Sequence, residues 1–265
     1  MPHARWEQVR GVLNGSKFRG LSSIFIVAAL WEFGARYFLT RSLFFVPLSA
    51  VLEEGVNLWR TGELQHHMWI SFIEFAIGFV IASVAGILGA ALMAASKVLR
   101  DFLDPWISGL YSTPVIALSP LFILWFGIDI PSKVAIIIVT VVFPVLINTY
   151  IGLTTTDRNL VEAARSFGTT TRQLYIMVRV PAAMPFIVAG LRLGVARGLV
   201  GVVVGEMIGA RAGLGYLIIV SAQTFNTAGL FLGVIILALA GVLAVELLKV
   251  LERWQAPWRN VDTGD

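Results

Sequence analysis

The chain has no cysteine among its 265 residues. That excludes a disulfide framework, a thiolate metal site and a cysteine nucleophile. Charge is scarce too. Asp, Glu, Lys and Arg make up 14% of the chain, against roughly 25% in an average soluble protein. What fills the space is apolar. Hydrophobic residues reach 57% and the mean hydropathy is +0.83. A water-soluble fold of this length cannot cover so much apolar surface, because its own exterior needs polar groups. Lipid must solvate much of the chain. A cytosolic enzyme, a disordered chain and a secreted disulfide scaffold are thereby excluded.

A bilayer core of about 30 Å takes about 20 mostly apolar residues per helix. Hydropathy predicts six such spans, near residues 22–39, 68–95, 104–126, 132–153, 183–208 and 228–252. The runs are continuous and do not alternate, so they read as helices and not as barrel strands. A long basic N-terminus precedes the first run and no small-residue cleavage site follows it, so it reads as a retained helix. The expected organisation is a cytoplasmic segment 1–21, a transmembrane domain 22–252 and a cytoplasmic tail 253–265.

Six spans place both termini on one side, and the basic residues choose the side. Thirteen of them, including Lys97, Arg100, Arg158, Arg165, Arg172, Arg179 and Lys249, fall at the ends shared with the termini. Five fall at the opposite ends: Arg36, Arg41, Arg60, Lys133 and Arg211. The positive-inside bias predicts cytoplasmic termini. It also explains the net charge of +4 through topology, without a nucleic-acid partner.

Residues 154–182 form the longest polar stretch on that side. Asp157 suits an N-cap for a helix from Arg158 to about Phe167. Leu160, Ala164 and Phe167 fall on one face, and Arg158, Glu162 and Arg165 on the other. Gly168 is placed to end the helix in a left-handed conformation. Thr169 to Thr171 open a second helix, which Pro181 is expected to end. On the other side, Ser49 to Trp59 is a short amphipathic stretch suited to the interface.

The polar stretch carries a resemblance. Glu162-Ala163-Ala164, then Gly168 after three residues, then Val178-Arg179-Val180-Pro181 after nine more, resembles the EAA loop of ABC-importer permeases. The likeness continues through Pro185, Gly190-Leu191-Arg192, Gly205-Glu206-Met207 and Gly213-Leu214-Gly215-Tyr216. This run is similar to the branch that carries nitrate, taurine and alkanesulfonates. Glu74 departs from it, since relatives tend to have a basic residue there, and Glu206 follows Gly where relatives often have Ala. The resemblance implies an all-α membrane protein, a type I ABC-importer permease of six transmembrane helices. It implies that Glu162, Ala163, Ala164, Arg165 and Gly168 form a coupling helix docking on a cytoplasmic ATPase dimer. It also implies a second copy of the chain and an extracytoplasmic solute-binding protein as partners, in a bacterial inner membrane. No Walker A loop occurs in this sequence. ATP and magnesium are therefore expected on the partner ATPase, with no cofactor in this chain and no enzymatic activity of its own.

Ionisable residues inside spans are candidates for function, because lipid penalises them. With Gly190 at 0° and about 100° per residue, Gly194, Gly198, Gly201, Gly205 and Gly209 fall within one narrow sector. Such a stripe suits helix packing. Glu206 and Arg192 share the opposite side, roughly 21 Å apart along the axis. They are the candidate pathway or gate residues, with Asn148 beside Pro144 as a third. The alternative for Glu206 is a structural hydrogen bond to a neighbouring loop. Gly78, Ala82, Gly86, Ala90 and Ala94 form a second small-residue ridge, and Glu32 and Arg36 can pair. Pro114 and Pro120 interrupt the third span, where Ser112, Thr113 and Ser119 can bond freed carbonyls. His66 and His67 are adjacent and point apart, so they do not suggest a metal site. The competing classes are a secondary transporter or channel working without an ATPase, and an intramembrane enzyme. Neither explains the EAA helix. The solute itself is not legible, although Arg192 suits an anion.

Overall fold

The computed structural model describes residues 16–37 and 45–255. The expected N-terminal segment as far as residue 15 and the tail beyond residue 255 lie outside the described residues, as do the basic residues counted there. Every regular element described is helical. The chain divides into two compact units, Met1–Leu64 with Ile218–Leu232, and Gln65–Leu217 with Gly233–Asp265.

The first unit holds α1 (Ser16–Tyr37) and α2 (Leu48–Thr61). Glu32 and Arg36 pair as expected, at 2.5 Å. The Glu32 carboxylate also accepts the Ser49 N–H at the start of α2, 3.0 Å away. Pro47 at the N-cap makes no side-chain cap, so Glu32 satisfies an N–H the helix leaves open. Trp31 Nε1 donates to the Val46 carbonyl at 2.9 Å. The α2 stretch is the predicted amphipathic segment. It buries Val51 and ends on Gly62 at φ +85°, where a side chain would be strained.

The second unit is built around α6 (Ile130–Thr154). Two neighbours approach it closely: α3 (Glu63–Ala95) and α9 (Val180–Gly209). The small-residue ridge of α3 meets one side. A Cβ at Gly86 would lie 2.9 Å from the Val142 carbonyl. The glycine stripe of α9 meets another side, where a Cβ at Gly201 would lie 2.8 Å from Thr140 Oγ1. Ala82, Ile137, Val141, Val145 and Val202 form the dry core between them. Both ridges therefore grip one helix within the chain.

Helices Glu63–Ala95, Ile130–Thr154, Thr171–Gly209 and Thr227–Val250 are long and apolar enough to cross a membrane. The last belongs to α11 (Thr227–Gln255). The third span expected from hydropathy is not one rod. It is α4 (Lys97–Ser112) and α5 (Val115–Phe126), bent by 97°, which count as a fifth span only if taken together. Pro114 is the cause: it forces Thr113 out of the helical region, to ψ 130°. The Ser112 and Thr113 hydroxyls donate to the carbonyls of Ser108 and Gly109 at 2.8 and 2.9 Å. The expected first span coincides with α1. With 22 residues it is about 33 Å long, but Glu32 and Arg36 in its final turns lower its hydropathy. Among the described residues it does not meet the measure that the other four pass, so the count of six is not reached there.

The fifth span also begins earlier than the sequence suggests. Pro181 does not end the second short helix. Instead α8 (Thr171–Leu174) runs through a π turn at Tyr175–Arg179 straight into α9. The wider turn makes room for a proline with no N–H to offer and a ring that would crowd the preceding turn.

Candidate functional sites at the two ends of the bundle

At one end of the second unit, α7 (Arg158–Ser166) leaves α6 after a short turn. Asp157 caps it, accepting the Asn159 N–H at 2.9 Å. Gly168 follows at φ +75°, the conformation predicted for it. Arg158 and Glu162 pair along the exposed face at 2.7 Å. The inward face differs from the predicted one. Val161 and Ala164 are half-buried, whereas Leu160 and Phe167 are exposed, Phe167 at 89%. The Phe167 carbon surface is thus available to a partner, and the expected apolar base of Leu160, Ala164 and Phe167 is replaced by a shorter one. Thr170 and Gln173 form a reciprocal capping box that starts α8. Ala163 and Arg165 are exposed beside Glu162.

At the opposite end, α9 stops and the chain turns into α10 (Leu214–Gln223). Three successive N–H groups at this start each find a side chain. Gly213 donates to His67 Nδ1 at 3.1 Å, Leu214 to Ser71 Oγ at 2.7 Å and Gly215 to Glu206 Oε2 at 2.5 Å. Ser71 in turn donates to Glu206 Oε1 at 2.6 Å. Glu206 is 1% exposed. Its geometry is the loop hydrogen bond that the sequence allowed as an alternative.

Lys133 completes this end. It was counted with the outer charges, yet it is buried, because its ammonium donates to three carbonyls. These belong to Ile128, to Asp129 at 3.3 Å and to Gly209 at 2.5 Å. It thereby joins the turn before α6 to the last residue of α9.

Arg192 is brought to neither of the other candidates. It forms an ion pair with Glu252 of α11, and its Nε has no partner. Asn148 donates to the Pro144 carbonyl at 2.8 Å, and its Cβ lies against Gly190. An apolar cavity of about 490 Å³ opens between α3, α9 and α11, lined by Phe72, Phe75, Phe79, Leu199, Leu243 and Leu247 among others. Glu206, Arg192 and Asn148 do not line it.

Sequence reasoning missed His67, Ser71, Glu74 and Lys133. A signal existed for the first three. They stand at i, i+4 and i+7, and continue the Gly78–Ala82–Gly86 ridge toward the helix start. A stripe that buries small residues buries polar ones at its end as well.

The matches to known proteins agree with this architecture. Residues 68–259 match the family described as the inner membrane component of binding-protein-dependent transport systems. The chain belongs to this family. A putative aliphatic sulfonates transport permease protein, SsuC of Bacillus subtilis (strain 168), is 35% identical over 268 residues, covering 100% of this chain and 97% of that one. The formylaminopyrimidine transport permease protein ThiX of Halalkalibacterium halodurans is 34% identical, covering 89% and 93%. The taurine transport system permease protein TauC of Escherichia coli (strain K12) is 28% identical, covering 97% and 96%. The crystal structure of an amino acid ABC transporter with histidines is similar in fold. Its TM-score is 0.61 at 19% identity, covering 76% of this chain and 96% of that one. The chain is an integral inner-membrane permease subunit of an ABC transporter, in the branch that the resemblance indicated.

Proposed function

We propose that two copies of this chain form the pathway of an ATP-driven importer for a small anionic solute of the sulfonate or taurine type. Two relatives named for sulfonates and for taurine support this solute class, while ThiX is named for formylaminopyrimidine. Two ATPase subunits bind ATP and magnesium and do the hydrolysis, and an extracytoplasmic binding protein delivers the solute. Both termini and residues 154–182 face the cytoplasm, on the basic-residue bias. Helix α1 serves as the remaining span of the six.

The observation that carries the reading is α7. It is a short helix capped at Asp157 and turned by Gly168, with Glu162, Ala163, Arg165 and Phe167 exposed. A helix fixed at both ends and unoccupied on its outer face is a handle on which a motor can push. Glu162, Ala163, Ala164, Arg165 and Gly168 are its coupling residues. Arg192, Asn148 and Glu206 act through the helices they hold in place around the pathway.

Replacing Gly168 with Val forces a β-branched residue into the left-handed region, which costs about 1–2 kcal/mol locally. It misaims the handle without touching the spans. The expected outcome is normal membrane insertion with a loss of ATP-driven uptake or of ATPase assembly. Full uptake and normal assembly in Gly168→Val would sink the coupling role. Mass measurement of the solubilised complex should find two permease chains.

A further inference from the structure

A cavity of about 420 Å³ lies at the end of the bundle opposite α7, its walls including Glu74, Asp129, Lys133 and Arg211. Glu74, Lys133 and Glu206 are all buried there. Glu74 and Glu206 are hydrogen-bonded carboxyl to carboxyl. Two ionised carboxylates cannot make that bond, because neither has a donor. One proton must lie between them. The remaining contacts of Glu206 say which carboxyl carries it. Glu206 accepts the Ser71 hydroxyl at 2.6 Å on one oxygen and the Gly215 N–H at 2.5 Å on the other, as a carboxylate does. Glu74 is then the donor. Its Oε2 has no partner, which costs far less for the carbonyl oxygen of a neutral acid than for a charged one. With Lys133 beside both, one carboxylate and one ammonium leave the buried cluster without net charge.

We propose that Glu74 holds a proton which positions Glu206 for its bond to the start of α10, so that the turn between α9 and α10 loosens when the proton leaves. Its loss removes a donor and sets a second buried negative charge against the first. Lys133 cannot take up the slack, since its three donors go to the Ile128, Asp129 and Gly209 carbonyls. The other titratable groups at this end are Asp129 and Arg211, exposed at the cavity and screened by water, and His67, whose Nδ1 accepts the Gly213 N–H and whose ring lies 5.9 Å from Tyr216. A proton needs no open channel to reach Glu74, because it exchanges whenever the turn opens locally. The proposal stands apart from the transport reading.

The test follows the unfolding equilibrium of the full chain in detergent against pH. Wild type is compared with Glu74→Gln, a neutral donor that has no proton to lose, and with Glu74→Leu, which has no donor. Unfolding exposes Glu74, and an exposed glutamate ionises above about pH 4.3. From there upward, unfolding releases a proton that the folded chain keeps, so stability falls as pH rises until the folded chain loses the proton too. Relative to Glu74→Gln, the wild-type folding constant should fall by up to about tenfold per pH unit in that window. Glu74→Leu should be weaker than Glu74→Gln at every pH. At the alkaline end the Gly215 amide should exchange with solvent faster in wild type than in Glu74→Gln. Parallel pH curves for wild type and Glu74→Gln, or equal exchange at Gly215, would overturn the proposal. Should Glu74→Gln fail to fold, infrared absorption of wild type and Glu74→Asp in an ester-free detergent decides. Both should show the carbonyl stretch of a protonated carboxylic acid at neutral pH, vanishing as pH rises, and its absence from folded wild type overturns the proposal equally.

Discussion

Ser71 is one hydroxyl with two obligations, accepting from Leu214 N–H and donating to Glu206. Ser71→Ala leaves both partners buried without that bond. A buried polar group stripped of its bond costs about 1–3 kcal/mol, so the loss should be of that order. Thermal inactivation of the solubilised complex should fall to lower temperature in Ser71→Ala, and an unchanged curve would show that water reaches the site. The ordinary conformational preference of these residues was readable in advance, as at Asp157 and Gly168. The partners were not. Glu206 was visible as a charge in a span, but its bonds come from residues 135 positions earlier and nine later. Lys133 looked like an outer charge because nothing in a linear sequence reveals three convergent carbonyls.

Among elements, periodicity located α3, α6, α9 and α11 with small errors at their ends. It also showed that two of them carry small-residue ridges. It did not identify what the ridges grip. Both grip α6, which leaves them unavailable for pairing two copies. Gly201→Leu would drive a side chain into Thr140 and Ile137, neither of which can withdraw from a helix packed on two sides. Overpacking of this kind costs about 1–3 kcal/mol or more. The yield of folded permease should drop even when the chain is produced without its ATPase. A defect seen only in dimer formation would instead place the ridge between copies. The two proline readings had opposite outcomes. Pro114 was read as an interruption and is one, a corner of 97°, while Pro181 was read as a stop and proves to be inside a continuous helix. The local rule is the same in both; whether the chain turns or widens depends on what waits beyond it.

At the scale of the whole molecule, hydropathy and charge fixed the class and the membrane setting. The family match over residues 68–259 agrees with both. Orientation is a separate inference that lipid-facing chemistry alone leaves symmetric. The chain's lack of cysteine makes the check clean. A cysteine at Thr170 should resist an impermeant thiol reagent in intact cells, and one at Gly62 should react. The reverse labelling would invert the topology and move the cavity beside Glu74 to the cytoplasmic side.

The π turn at Tyr175–Arg179 has a mechanical consequence. It sits between the short helices that would take the push and the thirty-residue rod of α9. Tyr175 fastens it sideways, its hydroxyl donating to the Ala91 carbonyl of α3 at 3.2 Å. Such a turn fits one residue more than an ordinary helical turn into nearly the same rotation. The turn therefore absorbs that residue without changing the angular phase between handle and rod, like a shim in a shaft. Deleting Met177 should restore plain helical winding and leave the handle pointing the same way. Such a permease should insert, fold, bind its ATPase and transport. Loss of uptake in that deletion, with the complex still assembled, would mean that the wide turn itself is needed to pass the push.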